Sequence, residues 1–170
     1  MIYDLIDQQV LDIIWHALDR EGRVLQFASG GGRIPNSVAK DVEGIRQVFS
    51  YVQQLPHFDN NEVMVNMKFV DRYNFAREDS KNEYIARLNS FSKNGIVVFD
   101  KMMPPWEENA SYCKEATPQK ILTVDMTPDE IQEILSRTVL DFDAINSDFV
   151  SLKKLNLIED ADWLKGKIRS

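Results

Sequence analysis

The spacing of hydrophobic positions changes several times along the chain, and each spacing predicts an element. Residues 2–20 place apolar side chains three or four positions apart, which predicts an amphipathic helix that stops at Gly22. The short apolar run 23–28 predicts a strand, which the glycine run after it would end. Apolar side chains recur at helical spacing over about 38–54, so a second helix is predicted before Pro56.

The middle of the chain carries strand and helix signals in turn. Residues 62–70 alternate apolar and polar positions, and residues 96–99 form a continuous apolar run, so both are predicted strands. Ser80 and Glu83 form a capping box, which predicts a helix between these two strands. Another short strand is predicted over 121–124.

The last third of the chain is predicted to be helical. Thr127-Pro128-Asp129-Glu130 combines a capping Thr, a Pro at the first helical position and a Glu at the third. Apolar side chains from Phe142 to Leu155 then recur in a seven-residue double step, and residues 161–168 predict one or two further turns.

The order of these elements predicts a single α/β or α+β domain over residues 1–170. About four strands would form a mixed or partly parallel sheet with helices packed on it, followed by a helical C-terminus. Helices between the first three strands favour α/β crossovers. Antiparallel pairs of the α+β type are the alternative, because Asn94-Gly95 and the long irregular stretch 101–119 would both permit them.

Charge and composition narrow the classes of partner. The chain has 27 acidic and 20 basic residues, a net charge of −7. Such a chain repels phosphate backbones, which disfavours nucleic-acid binding, and it attracts basic proteins. It contains no apolar run long enough for a membrane helix and no basic signal region. With the lone Cys113, these features predict a cytoplasmic protein without membrane association.

A glycine run between a predicted strand and a predicted helix is the first candidate site. Backbone amides of such a run can surround a phosphate group, so Gly30, Gly31, Gly32 and Arg33 are predicted phosphate-binding residues. The run matches neither the P-loop nor the dinucleotide fingerprint. A flexible turn is the alternative interpretation.

Three aspartates form the second candidate site. Asp71, Asp100 and Asp125 each follow an apolar strand segment directly. If those strands were parallel neighbours, the carboxylates would meet at one sheet edge and suit Mg²⁺. Turn formation, helix capping and surface ion pairs are the alternatives. The sequence carries no motif for a resident organic cofactor.

The stretch around residues 102–113 is the third candidate, as an interaction loop. It combines methionines and aromatic residues, which binding surfaces favour, with paired glutamates and two prolines. The predicted partner-binding residues are Met103, Trp106, Glu107, Glu108 and Tyr112. The alternative is a loop whose Trp106 packs back on the core.

Two hypotheses of function follow from these candidates. The first is an acidic cytosolic binding or regulatory protein, of which an immunity-type inhibitor of a basic partner protein is one form. The second is a Mg²⁺-dependent enzyme that acts on a phosphate or nucleotide substrate. The enzyme requires the aspartates and the glycine run at one concave site. The binding protein requires exposed apolar residues beside acidic ones.

Overall fold

The protein is described by a computed structural model over residues 2–102 and 110–158. In chain order its helices and strands are α1 (Leu5–Val10), β1 (Ile14–Asp19), β2 (Val24–Ala28), α2 (Asn36–Ala39), α3 (Val42–Gln54), β3 (Val63–Val65), α4 (Met67–Val70), α5 (Glu78–Ser92), β4 (Val97–Lys101), β5 (Ser111–Pro118), α6 (Asp129–Leu135), β6 (Val139–Leu140) and β7 (Phe149–Ser151). Two 3₁₀ turns lie at Asp71–Tyr73 and Val124–Met126.

The seven strands of the described residues form one mixed sheet. The strand order is β3-β5-β4-β2-β1-β6, and β7 pairs with the first part of β5. The pairs β2/β4 and β1/β6 are parallel, and the other pairs are antiparallel. The prediction of a mixed α/β protein with a partly parallel sheet is confirmed, but the expected number of about four strands was too low.

Aromatic packing defines one face of the sheet, and helices cover the other. On the first face the Trp15 and Phe27 rings stack with centroids 4.1 Å apart, and Phe99 follows at 5.0 Å from Phe27. On the second face Val24 and Val98 belong to a cluster that α3, α5 and α6 complete. Burial on both faces explains why β1, β2 and β4 are almost continuously apolar.

The predicted helix over residues 2–20 is wrong in its second half. α1 ends at Val10, and the apolar run that follows forms β1, with five of its six residues buried. Apolar spacing alone does not distinguish a buried strand from a buried helical segment. The pairing of Trp15 with Phe27 and of Leu18 with Val24 settles the register.

The C-terminal third also differs from the prediction. The described part of the predicted C-terminal helices contains β7 and turns, and residues 161–168 lie outside the described residues. The predicted strand at 121–124 makes only an isolated bridge from Thr123 to Arg23. α6 forms as predicted, but Thr127 does not cap it: its hydroxyl donates to the Val124 carbonyl at 2.7 Å.

The stretch 101–119 is more regular than expected. Its second part is the eight-residue strand β5, which pairs with β3, β4 and β7. No helix among residues 2–102 and 110–158 is both long enough and apolar enough to span a bilayer.

Candidate functional site

The C-terminal ends of β2 and β4 meet at one edge of the sheet, which we call the glycine edge. Ala28 is in register with Asp100 on the parallel neighbour strand, so the loop after β2 lies beside the end of β4. The approach to β1 reaches the same edge, because the Asp12 carboxylate accepts the Gly30 amide at 2.8 Å. The glycine edge therefore consists of Asp12, Gly30, Gly31, Gly32, Asp100 and Lys101.

The Lys101 side chain packs closely against the glycines of this loop. A Cβ at Gly32 would lie 1.7 Å from the Lys101 Nζ, and a Cβ at Gly30 would lie 3.2 Å from the Lys101 Cβ. Gly30 and Gly31 also have φ angles of +52° and +71°, which favour glycine. The structure thus gives the run a packing role, whereas phosphate binding by Gly30–Gly32 stays a prediction.

Arg33, the fourth predicted phosphate ligand, follows the glycine run into the interior. Its side chain is buried, and its carbonyl accepts the Tyr112 hydroxyl at 2.9 Å. This bond ties the end of the glycine loop to β5.

The Lys101 side chain is buried, which is unusual for a group that carries a positive charge. The residue is 6% exposed, and Nζ forms no hydrogen bond with the described residues. Burial lowers the pKa of Lys101 to about 8, because the charged form loses its hydration. Lys101 is therefore an energetically costly residue that holds the glycine loop in place by packing.

The three predicted metal-binding aspartates are not brought together. Asp100 lies at the glycine edge, but Asp125 lies beyond the opposite end of β2, where Val124 bonds to the Gly22 carbonyl. The length of β2 separates the two by roughly 16 Å. Asp71 instead forms an ion pair with Lys81 at 2.7 Å. The described residues contain no group of three His, Cys, Asp or Glu suited to a metal ion.

Asp100 has a different set of neighbours, which sequence reasoning missed. It faces Glu115 of β5, and two tyrosine hydroxyls lie between the carboxylates. Tyr73 Oη is 2.7 Å from Asp100 Oδ2 and 2.9 Å from Glu115 Oε1. Tyr84 Oη is 3.2 Å from Asp100 Oδ2 and also contacts Glu115 Oε2. We call these four residues the carboxylate–tyrosine cluster.

Burial dominates the electrostatics of this cluster. The pKa values of Asp100 and Glu115 are both raised, first by burial, and for Glu115 next by the charge of Asp100. The pKa values of Tyr73 and Tyr84 are raised by burial and by the two carboxylates, so both hydroxyls keep their protons. The sequence carried no signal for this cluster, because Glu115 follows Lys114 directly and the apolar pattern around them does not indicate burial.

The predicted partner-binding loop is only partly described. Met103, Trp106, Glu107 and Glu108 lie outside the described residues, so their role stays a prediction. The ends of the loop are set by β4 and β5, where Met102 donates to the Ser111 carbonyl at 3.1 Å. Met102 and Ser111, the described residues that flank this stretch, therefore lie beside the glycine edge.

Tyr112, the fifth predicted partner-binding residue, is placed differently. It is completely buried and packs edge-on against the stacked Trp15 and Phe27 rings, at centroid distances of 5.7 and 5.2 Å. Alternation along β5 turns this side chain into the core, so it offers no surface to a partner.

The exposed apolar surface lies instead on the N-terminal segment. In α1 the buried residue is the polar Gln8, whereas the apolar residues of the helix face solvent. The exposed fractions are 61% for Ile2, 41% for Leu5, 68% for Ile6, 71% for Val10 and 42% for Leu11. We call these five residues the N-terminal apolar face.

A groove continues this surface between the N-terminal segment and α3. The groove is open to solvent, and the empty space in and directly above it is about 740 Å³. The residues that line it are Tyr3, Leu11, Asp12, Ile13, Ile14, Ile45, Arg46 and Phe49. Phe49 is 38% exposed at this position. Since Asp12 belongs to the glycine edge, the groove and the glycine edge are adjacent.

Comparison of the chain with protein-family models, curated proteins and solved structures finds no match.

Proposed function

We propose that the protein binds a basic protein partner through the N-terminal apolar face and the adjoining groove. The observation that carries this proposal is the inverted burial in α1, where Gln8 is 4% exposed while Ile6 and Val10 are 68% and 71% exposed. Single exposed apolar residues are ordinary on protein surfaces. A helix with its apolar residues outside is typical of an interaction surface.

The inversion is built into the local hydrogen bonding. Asp4 accepts the Ile6 and Asp7 amides at 2.8 Å, and Asp7 accepts the Asp4 amide in return, which fixes the start of α1. Gln8 then accepts the Ile34 amide at 3.2 Å from the loop below. These bonds define which side of the short helix is turned inwards.

Charge selects the kind of partner. Residues 2–14 contain three aspartates, Asp4, Asp7 and Asp12, and no cationic side chain. Arg46 is the cationic residue among those that line the groove. A basic partner is attracted to this surface, whereas a second copy of the chain would bring the same negative charges against each other. This charge pattern supports a basic protein as the occupant over self-association.

The predicted loop contributes a second part of the same proposal. The described residues on either side of the predicted loop, Met102 and Ser111, lie beside the glycine edge, and Asp12 connects that edge to the groove. We therefore include Trp106, Glu107 and Glu108 in the proposal as further contacts to the same partner. An inhibitor of the immunity type is the finer form of this proposal, since such a protein covers a basic effector with an acidic surface.

Two measurements test the proposal. Sedimentation should show a monomer at micromolar concentration, and a dimer that dissociates on Ile6→Ser would contradict a basic partner as the occupant. Partners captured from the source cell should be basic. Hydrogen exchange of the complex should then protect α1 and the groove. Protection confined to the β3 edge around Met64 would overturn the proposed surface.

A further inference from the structure

The carboxylate–tyrosine cluster has more oxygen contacts than hydroxyl protons. Tyr73 and Tyr84 each approach both carboxylates, which makes four oxygen–oxygen contacts at hydrogen-bonding distance. The two hydroxyls supply two protons, and ionised carboxylates only accept. With both carboxylates ionised, two of the four contacts lack a proton of their own.

One additional proton supplies one of the two missing hydrogen bonds. A proton on Glu115 Oε2 can be donated to the Tyr84 oxygen, while the Tyr84 hydroxyl donates to Asp100 Oδ2. Tyr73 then donates to Asp100 or to Glu115 Oε1. Asp100 is the better anion of the pair, because its Oδ1 accepts the Lys101 amide at 2.6 Å. Glu115 is completely buried, so it is the better holder of the proton.

The charges around the two carboxylates also favour one additional proton on the pair. The titratable and charged side chains that interact with the pair are Arg72 and Tyr73 of the 3₁₀ turn, Tyr84 of α5, Tyr112 and Cys113 of β5, and Asp12 before β1. Arg72 is the cation of this set, and its Nη2 is 3.6 Å from Glu115 Oε1. With both carboxylates of the pair ionised, Arg72 offsets one charge and a single proton removes the other, while the charge of Asp12 further favours that proton on the pair.

We propose that Asp100 and Glu115 share one proton in the folded protein at neutral pH, and that loss of this proton loosens the segment 71–92 from the sheet. The cluster joins these parts of the molecule, since Tyr73 and Tyr84 belong to that segment and the carboxylates belong to β4 and β5. Without the proton, like charges face each other across the two tyrosines. The fold thus contains a pH-sensitive attachment.

The sign of the pH effect follows from the direction of the pKa shifts. Both carboxyl pKa values are raised in the folded state, so this contribution to stability is complete at low pH and is lost as the pH rises through the folded pKa. In that window the equilibrium constant for unfolding should rise about tenfold per pH unit for one proton.

The test compares the wild type with Glu115→Gln, whose amide keeps its protons, and with Glu62→Gln as an exposed control. The unfolding constants of both proteins are measured from acidic to alkaline pH. The ratio of the wild-type constant to the Glu115→Gln constant should rise by up to about tenfold per pH unit. Glu62→Gln should follow the wild type. Parallel curves for the wild type and Glu115→Gln would overturn the shared proton.

A second measurement does not depend on how well Glu115→Gln folds. The infrared spectrum of the wild type at neutral pH should contain the carbonyl stretch of a protonated carboxyl group, and this band should disappear on alkaline titration. Absence of the band would overturn the shared proton. The protection of α5 amides against hydrogen exchange, corrected for the intrinsic rate, should fall as the band disappears. Unchanged protection would overturn the loosening.

Discussion

The Gln8 side chain accepts a hydrogen bond from the Ile34 amide across 3.2 Å and donates one to the Tyr3 carbonyl at the same distance. The first bond crosses from α1 to the loop that follows the glycine run. It holds the one polar face of the helix inwards, so that Ile6 and Val10 remain outside. The proposed binding surface therefore depends on a buried amide side chain.

Replacement of Gln8 tests this dependence. Gln8→Ala leaves the buried Ile34 amide without its acceptor, which should lower the free energy of unfolding by about 1–3 kcal/mol. Chemical denaturation measures the change. Gln9→Ala, at the next and less buried position, is the control and should change stability much less. Equal effects of the two substitutions would show that the Gln8 bond does not fix the helix.

The contact between Gly32 and Lys101 gives a prediction of coupling. Gly32→Ala places a methyl group where Lys101 Nζ lies, so it should destabilise the protein by about 1–3 kcal/mol. In a Lys101→Ala background the same substitution should cost clearly less, because the obstructing group is gone. Denaturation of the four proteins of this double-mutant cycle measures the coupling. Strict additivity would mean that Lys101 does not determine the glycine at this position.

His16 gives a prediction of acid sensitivity. Burial lowers the pKa of His16 to about 4, against its ordinary value of 6.5, although the Gln26 side chain lies within 3.3 Å. The unfolded chain therefore binds the proton first as the pH falls. The His16 contribution to stability is lost progressively from pH 6.5 to about 4. By this linkage, the loss should reach about 3 kcal/mol.

The comparison of His16→Gln with the wild type isolates that contribution. The stability of His16→Gln should fall less steeply over this pH range, as measured by denaturation at a series of pH values. His57→Gln, in the exposed loop before β3, is the matched control for the substitution itself. A His16→Gln profile parallel to the wild type would mean that His16 gains its proton in the folded state.

Local sequence signals predicted the elements whose ends are marked by turn residues. Gly30 and Gly95 mark the boundaries of β2 and β4, and Pro128 precedes α6. These residues restrict the backbone directly, so their effect is visible without knowledge of tertiary contacts.

Elements defined by distant contacts were missed. β7 exists because residues 149–151 pair with 111–113, about forty residues earlier in the chain. β5 contains Lys114 and Glu115, which look solvent-exposed in the sequence. In the structure Lys114 donates to the Ala144 and Ile145 carbonyls, and Glu115 contacts two tyrosines. The pattern of apolar residues contains no information about such partners.

The candidate sites in the structure differ from the predicted ones for the same reason. Sequence spacing placed Asp100 just after a strand, and the structure places it one residue before the end of β4, but the strand order decides which residues lie beside it. That order brings Glu115 near Asp100 and leaves Asp125 at the opposite end of β2. The inverted burial of α1 was hidden because an apolar helix face normally predicts the buried side.

The proposed binding surface is tested most directly by measuring how fast the isolated partner associates with, and dissociates from, surface variants of this protein. The double variant Ile6→Ser, Val10→Ser should raise the dissociation rate at least tenfold, because two apolar contacts are lost from the interface. Asp4→Asn with Asp7→Asn should mainly lower the association rate, and added salt should reproduce that effect. Met64→Ser, at an equally exposed methionine on the β3 edge, should bind like the wild type. If the isoleucine–valine double variant stays folded and dissociates at the wild-type rate, the N-terminal apolar face is not the binding surface.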